Sequence, residues 1–243
     1  MSPIGPIRPA LRETRKRVYQ TFTYREAVLR ICCDRFEVVT AEIVRQRRIL
    51  EEYIARHPAF RTALQPIDLR AEAPEIACRM AQAAERVGVG PMAAVAGAMA
   101  QRAAEAALAA GAEEAIVDNG GDLYLQAVEP VLVALGTGTA TLAAQLALWV
   151  RPDETPLAIC SSSGKMGHSM SLGRCDLATI VAKDAALADA AATQAANLVK
   201  TVADVDAALE RILCIGGIDG VLIVQDDRVG LAGRLPQLTR TPR

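Results

Sequence analysis

A carboxylate and a hydroxyl stand four positions apart in an alanine-rich part of the chain, at Asp189 and Thr193. The segment from Asp184 to Lys200 predicts a helix with Asp184 as its N-cap. On that helix the two side chains share one face, about 5–6 Å apart. Two such oxygen ligands suit Mg²⁺, which completes its shell with water and phosphate oxygens. A solvated helix face is the other interpretation, and it is the commoner one for such a pair.

A loop rich in hydroxyls and glycine precedes this helix, at Ser161-Ser-Ser-Gly164. It lies between two apolar segments that predict strands, Leu157–Cys160 and Leu177–Ala182. A loop that cradles an anion beside half a magnesium site would indicate a phosphorylated ligand. The alternative is a plain turn. A Walker A motif is excluded because no Gly-x-x-x-x-Gly-Lys-Ser/Thr string occurs.

A glycine pair lies between two other strand-like segments, Ala115–Val117 and Leu123–Gln126. Asn119-Gly120 predicts a tight hairpin turn. Glycine also lets backbone N–H groups approach a ligand closely, so Gly120 and Gly121 are candidate binding residues. The two interpretations are compatible, since a hairpin tip can also bind.

Composition narrows the class of protein. The 243 residues suit one large domain, which we expect over residues 17–235, with a flexible basic arm over 1–16 and a C-terminal tail over 236–243. The net charge of −1 gives no electrostatic footprint for nucleic acid or an acidic membrane. The longest apolar stretch, Val87–Ala100, is too short to span a bilayer.

The cysteine pattern favours a cytoplasmic protein with reduced thiols. There are six cysteines but no Cys-x-x-Cys, and the two histidines do not complete a zinc site. The first nine residues carry prolines and no apolar run, so no secretory signal is expected.

The order of elements predicts an α+β fold, because strands and helices alternate without a regular βαβ pattern. Strands are expected within 17–40, 115–117, 123–126, 131–135, 142–150, 157–160, 177–182, 220–224 and 228–231. Helices are expected at 41–57, 74–86, 91–110, 184–200 and 202–215.

Five segments, in this order, resemble the ApbE superfamily: Gly97–Arg102, Ile116–Asp122, Ser162–Gly164, Thr179–Ala182 and Ala188–Thr193. Its best-known members are FAD:protein FMN transferases, which bind FAD and Mg²⁺ on a duplicated α+β fold. The resemblance therefore implies mixed or antiparallel sheets with packed helices, built from a duplicated α/β unit. It is closest to a shorter cytoplasmic branch of bacteria and archaea, and it covers about Gly88 to Lys200.

The resemblance also implies site residues. Asp189 and Thr193 match the superfamily's magnesium ligands, and a backbone carbonyl near Ala98 would be a third. Asn119, Gly120, Gly121 and Asp122 match its flavin-site loop, and Ser162, Ser163 and Gly164 match its Thr-Ser-Gly loop.

Two departures put one activity of the superfamily in question. The transferases carry His-x-x-Asp-Pro-x-Thr-Gly after the Ser-Gly loop, whereas His168 is followed here by Ser-Met-Ser-Leu-Gly173. Gln101-Arg102 stands where Lys-Gly is usual. We therefore expect a flavin- or nucleotide- and Mg²⁺-binding protein that does not transfer FMN to a protein, with His168 contacting phosphate or acting as acid or base.

Three alternatives stay open at this point. The first is a Mg²⁺-dependent enzyme that catalyses phosphoryl or nucleotidyl transfer on a flavin nucleotide, or an authentic FAD:protein FMN transferase. The second is an accessory protein of sulfur metabolism, because the short branch is linked to sulfide use and homocysteine formation. Cys160 or Cys175 would then handle sulfur, although burial in strands is the commoner fate of such thiols. The third is a structural scaffold, in which the expected partner is a second copy of the chain in a homodimer.

Overall fold

The computed structural model describes residues 17–136, 145–164 and 175–241. Its strands are β1 (Gln20–Tyr24), β2 (Ala27–Cys33), β3 (Ala115–Asn119), β4 (Asp122–Gln126), β5 (Val131–Ala134), β6 (Leu146–Val150), β7 (Leu157–Ser162), β8 (Leu177–Ala182), β9 (Ile218–Gln225), β10 (Arg228–Gly233) and β11 (Gln237–Arg240). An 8-stranded sheet has the order β1-β2-β3-β4-β7-β8-β9-β10, and a 3-stranded sheet has the order β11-β6-β5. All neighbouring strands pair antiparallel.

The helices are α1 (Phe36–Arg56), α2 (Ala59–Thr62), α3 (Glu75–Val87), α4 (Val95–Ala109), α5 (Ala185–Leu198) and α6 (Val205–Leu213). Helix α3 follows Pro74 and ends at Gly88, whose φ of 83° is the left-handed conformation that closes many helices. Helix α5 begins after Asp184, whose side chain accepts a hydrogen bond from the Leu187 N–H. The described part of the chain contains no helix with both the length and the apolarity to cross a bilayer.

The large sheet separates two hydrophobic cores. Alternate residues of β4 face opposite sides: Tyr124 packs among the helices, and Leu123 and Leu125 pack against the small sheet. Helix α5 is buried along almost its whole length, because it lies between the sheet and the other helices. Its small alanine side chains allow that close packing. The predicted α+β class with antiparallel sheets and packed helices is confirmed.

Two predicted elements were wrong. Residues 35–40 were expected to form a strand, but α1 begins at Phe36. Val39 and Ile43 are buried one helical turn apart, and packing against α4 outweighs the strand preference of the β-branched residues.

The C-terminal segment was expected to be a tail, but Gln237–Arg240 form β11, which pairs with β6. The strand shows only four residues of alternation, and Leu238 packs against the core beneath the small sheet. Prolines flank this segment in the sequence, and proline is compatible with the end of an edge strand.

Candidate functional site

The candidate site is centred on the contact between α4 and α5. Gly97 makes that contact possible: a Cβ atom there would lie 2.2 Å from the Ala185 carbonyl oxygen and 2.9 Å from the Asp189 Cβ. Its backbone N–H donates a hydrogen bond of 2.9 Å to Asp189 Oδ2. The first turn of α4 therefore holds the carboxyl group of α5.

Asp189 is a buried carboxyl, only 8% exposed, and so it does not lie on a solvated face. Burial raises its pKa to about 7, although hydrogen bonds from the backbone N–H groups of Gly97 and Ala96 oppose that rise. Within the described residues, the groups that favour its charged form are thus peptide dipoles rather than Lys or Arg side chains.

Asp122, the first residue of β4, is a second buried carboxyl and lies close enough to interact with Asp189. Burial raises the pKa of Asp122 well above its usual value, and repulsion by Asp189 raises it further. Its Oδ1 atom is buried and has no hydrogen-bond partner within the described residues. Two carboxyls in one dry location are unfavourable when both are charged unless a cation accompanies them.

The glycine turn lies directly beside this carboxyl pair. Asn119 and Asp122 pair across a two-residue hairpin, in which Gly120 and Gly121 have φ values of 71° and 106°. The Asn119 side chain donates a 3.2 Å hydrogen bond to the Ala96 carbonyl, which ties the hairpin to the start of α4. The Gly121 N–H donates to Asp118 Oδ1 at 2.9 Å, so it is already engaged within the protein.

The serine-rich end of β7 lies beside the same hairpin. The Ser161 N–H donates to the Gly121 carbonyl at 3.2 Å, and Cys160 is paired with Asp122 across the two strands. Ser162 lies on the same face of β7 as Cys160, and its Oγ is buried with no partner within the described residues. Ser163 Oγ and the Gly164 N–H both donate to the Cys175 carbonyl, at 3.3 Å and 2.8 Å.

The structure places two of the remaining predicted site residues in helices, and the third lies outside the described residues. Thr193 follows Asp189 by one turn of α5 and is also buried, at 9% exposed. Ala98 is buried in α4, next to Gly97. His168, the predicted catalytic residue, lies outside the described residues, as do the Ser-Met-Ser-Leu-Gly173 positions that follow it.

Cys160 belongs to this cluster in a way that sequence spacing did not indicate. Its thiol is fully buried and donates toward the Ala185 carbonyl at 3.6 Å. Burial raises the pKa of the Cys160 thiol well above its usual value, and the charges of Asp122 and Asp189 raise it further. Cys175 is also fully buried, and its thiol donates to the Val224 carbonyl. Both thiols are packed in the protein interior.

The polar atoms of the cluster suit a hard cation. They are carboxylate and hydroxyl oxygens, and an oxygen of Asp122 and one of Ser162 lack partners. In the described ranges no three His, Cys, Asp or Glu side chains converge as a metal site. A cation would therefore combine Asp189 with hydroxyl and carbonyl oxygens. Two cavities, of about 270 and 430 Å³, lie elsewhere, beside the start of β1 and between β1 and α1.

Known proteins are similar to this chain in sequence or in fold. A family model described as "AbpE bacteria" matches residues 14–213. A UPF0280 protein of Methanothrix thermoacetophila is 41% identical over 211 residues, covering 85% of this chain and 87% of its own. A UPF0280 protein of Methanocella arvoryzae is 39% identical over 221 residues, covering 90% of each chain.

Solved structures extend the likeness to the fold. The ApbE protein of Thermotoga maritima has a TM-score of 0.59 at 13% identity, covering 93% of this chain and 97% of its own. The flavinyl transferase ApbE of Pseudomonas stutzeri has a TM-score of 0.52 at 13% identity, covering 93% and 94%. These matches confirm the resemblance predicted from the sequence. The chain belongs to the family described as AbpE bacteria, together with the UPF0280 proteins, and it has the fold of the ApbE flavin transferases.

Proposed function

We propose that the protein binds a flavin nucleotide together with Mg²⁺ at the cluster formed by α4, α5 and the adjacent ends of β4 and β7. The observation that carries this proposal is the buried pair Asp122 and Asp189, one of whose oxygens lacks a partner. A bound cation would offset the repulsion between the two carboxylates and supply that missing partner.

The cation would be held by this chain's own oxygens. Asp189 and Thr193 lie one helical turn apart and are both buried, and a backbone carbonyl near Ala98 would add a third oxygen. Asp122 contributes negative charge beside them. When bound, Mg²⁺ would neutralise phosphate oxygens of the nucleotide and orient them.

The nucleotide would lie against the hairpin and the end of β7. The backbone N–H groups of Gly121 and Gly164 already donate within the protein, so they do not form the anion cradle that the sequence suggested. Recognition would depend instead on the cation and on side-chain oxygens such as Ser162 Oγ. The flavin part of the proposal is supported by the names of the structural neighbours, which are flavin transferases.

We infer that the activity stops short of FMN transfer to a protein. The Asp-Pro-x-Thr-Gly segment that follows the Ser-Gly loop in the transferases has no counterpart in this sequence. The sulfur-handling alternative is not favoured, because Cys160 and Cys175 are fully buried. Burial of these two thiols fits the reducing cytoplasm in which we place the protein.

Purification under native conditions tests the proposal. We expect the protein to retain a flavin or adenine nucleotide that mass spectrometry identifies after denaturation, and to release it when Mg²⁺ is chelated. A protein that carries no nucleotide, and takes none up when supplied with FAD or FMN and Mg²⁺, would refute the proposal. Release of AMP from FAD would show in addition that the bound nucleotide is cleaved.

A further inference from the structure

Gln101 connects α4 to α5 at a point where the superfamily usually has lysine. Its Oε1 accepts a 2.7 Å hydrogen bond from the Ala185 N–H, the first residue of α5. Its Nε2 donates a 2.8 Å hydrogen bond to Glu105 Oε1, one turn further along α4. The side chain thus joins the start of one helix to the side of another.

The Ala185 N–H is one of the groups that a helix N-terminus cannot satisfy by itself. Asp184 caps the same turn through the Leu187 N–H, at 3.2 Å. The two side chains therefore satisfy different amides of one turn. The cap from Asp184 is local to α5, whereas the cap from Gln101 fixes α5 relative to α4.

The contacts fall into two facing rows. Gly97 and Gln101 lie one turn apart on α4, and Ala185 and Asp189 lie one turn apart on α5. Gly97 donates to Asp189, and Gln101 accepts from Ala185. The two hydrogen bonds together set how far α5 is displaced along α4, and thereby where the Asp189 carboxyl lies.

Glu105, the α4 residue that holds Gln101, belongs to a network of charged side chains that reaches neighbouring helices. Glu105 accepts from Arg79 of α3 at 3.3 Å and from Arg102 at 3.3 Å. Arg102 also forms ion pairs with Glu42 of α1 at 3.9 Å and Glu75 of α3 at 3.4 Å. The first turn of α5 is therefore connected through one amide side chain to three helices.

We propose that Gln101 is a positioning residue that sets the location of Asp189 in the cation site. This inference rests on the proposed function, since it concerns the cation that Asp189 would hold. Both polar atoms of Gln101 already form hydrogen bonds within the protein, so it would act on the cation only through Asp189. Its loss would leave the Ala185 N–H without its acceptor and would allow α5 to shift along α4.

Binding of Mn²⁺, followed by electron paramagnetic resonance of the free ion, tests this role without requiring catalysis. Gln101→Met keeps the length of the side chain but removes the acceptor, and we expect it to weaken Mn²⁺ binding about tenfold, or about 1.4 kcal/mol. Gln101→Glu keeps the acceptor for Ala185 but loses the donor to Glu105 and adds a like charge, so its binding should also be weakened.

A reciprocal exchange provides the rescue. In the double variant Gln101→Glu with Glu105→Gln, the new glutamine can donate to the new carboxylate, which still accepts from the Ala185 N–H. We expect this variant to bind Mn²⁺ within about twofold of the wild type. Arg17→Met is the matched control, because the partners it loses, Glu114 and the Glu129 and Pro130 carbonyls, lie outside α4 and α5. It should lower thermal stability but leave Mn²⁺ affinity unchanged.

The outcomes separate the two proposals. If the wild type binds no Mn²⁺, the proposed function itself fails, and this inference fails with it. If the wild type binds but Gln101→Met binds equally well, or the double variant shows no rescue, or Arg17→Met weakens binding as much as Gln101→Met, only the role of Gln101 is refuted. Faster amide exchange in the first turn of α5 should accompany the weakened variants.

Discussion

At the scale of single residues, the main feature is a pair of buried carboxyl groups, Asp122 and Asp189. Acidic side chains are almost never fully buried unless they are paired. Asp189 is satisfied by peptide N–H groups of α4, and Asp122 retains an oxygen without a partner within the described residues. Burial raises the pKa of both carboxyls, so a proton and the proposed cation would compete for the same location.

Replacing Asp189 tests the cost of its buried charge. The pKa of Asp189 is about 7 in the folded protein, above its ordinary value of 3.8, so the folded state binds the proton more tightly than the unfolded state does. The contribution of Asp189 to the free energy of unfolding should therefore fall as pH rises from about 4 to about 7, and then level off. In metal-free buffer at pH 8 we expect Asp189→Asn to be more stable than the wild type by about 1–3 kcal/mol.

Urea denaturation at pH 4.5 and pH 8 measures this difference. The advantage of Asp189→Asn should shrink at the lower pH, where the wild-type carboxyl is protonated. Asp153→Asn is the control, because that side chain is 72% exposed and should change stability equally little at both pH values. A wild type that is as stable at pH 8 as Asp189→Asn would contradict the description of the buried charge.

Stabilisation by Mg²⁺ should increase with pH, whereas the contribution of Asp189 to the stability of the metal-free protein should decrease. Because a cation requires the ionised carboxylate, we expect millimolar Mg²⁺ to raise the melting temperature more at pH 8 than at pH 6. Differential scanning fluorimetry with a chelator as the reference would measure both shifts. Equal shifts at the two pH values, or the same shift in Asp189→Asn, would mean that the ion acts elsewhere.

At the scale of elements, the candidate site lies where α4 and α5 approach each other closely, beside the adjacent ends of β4 and β7. The predicted helix from Asp184 is confirmed, as is the hairpin around Gly120, because an N-cap and an Asn-Gly turn are local signals. The spacing of Asp189 and Thr193 therefore predicted that they share one helix face.

The sequence did not reveal what that face contacts. Burial of Asp189 and its hydrogen bond to Gly97 join residues separated by 92 positions, and no local pattern encodes such a contact. The glycine within the helical pattern of α4 was the available signal, since such a glycine often marks a close approach. Gln101 was noticed only as a departure from a motif, and the Ala185 N–H that it caps belongs to another helix.

Gly97→Ala tests that close approach. The added methyl group would lie 2.2 Å from a backbone carbonyl oxygen of α5, so the helices must separate. We expect a loss of about 1–3 kcal/mol in the free energy of unfolding, together with weaker cation binding. Chemical denaturation and Mn²⁺ titration would measure the two effects.

Gly216→Ala is the matched control for this substitution. Its φ is ordinary, and the nearest atom to its added Cβ is the end of the flexible Arg86 side chain at 3.9 Å. It should be close to neutral in both measurements. A Gly97→Ala protein that matches this control would show that α4 and α5 do not meet at Gly97.

At the scale of the whole molecule, the chain has the layered fold of the flavin transferases in a form shared with the archaeal UPF0280 proteins. Fold does not determine activity, so the activity has to be inferred from the residues of the candidate site. The sequence contains Asp189 and Thr193 one turn apart in α5, and it lacks an Asp-Pro-x-Thr-Gly segment.

We expect no covalent attachment of FMN to a threonine of an acceptor protein. Transfer requires the acceptor hydroxyl and the pyrophosphate to be held in line, and loss of a positioning segment costs orders of magnitude in rate. Incubation with FAD, Mg²⁺ and a known acceptor domain, followed by in-gel flavin fluorescence, would measure it. A fluorescent band at the acceptor would show that another segment, such as residues 169–173, replaces the missing motif.

The most direct test of the proposed function is calorimetric titration of the metal-free protein with FAD, in the presence and absence of Mg²⁺. With Mg²⁺ we expect a micromolar or tighter Kd, which corresponds to a binding free energy of about −8 kcal/mol or more favourable. Without Mg²⁺ we expect much weaker binding. Asp189→Asn should abolish the Mg²⁺-dependent part while remaining folded. Absence of binding to FAD, FMN and ADP in the presence of Mg²⁺, or equal binding by Asp189→Asn, would contradict a flavin nucleotide and Mg²⁺ site at this cluster.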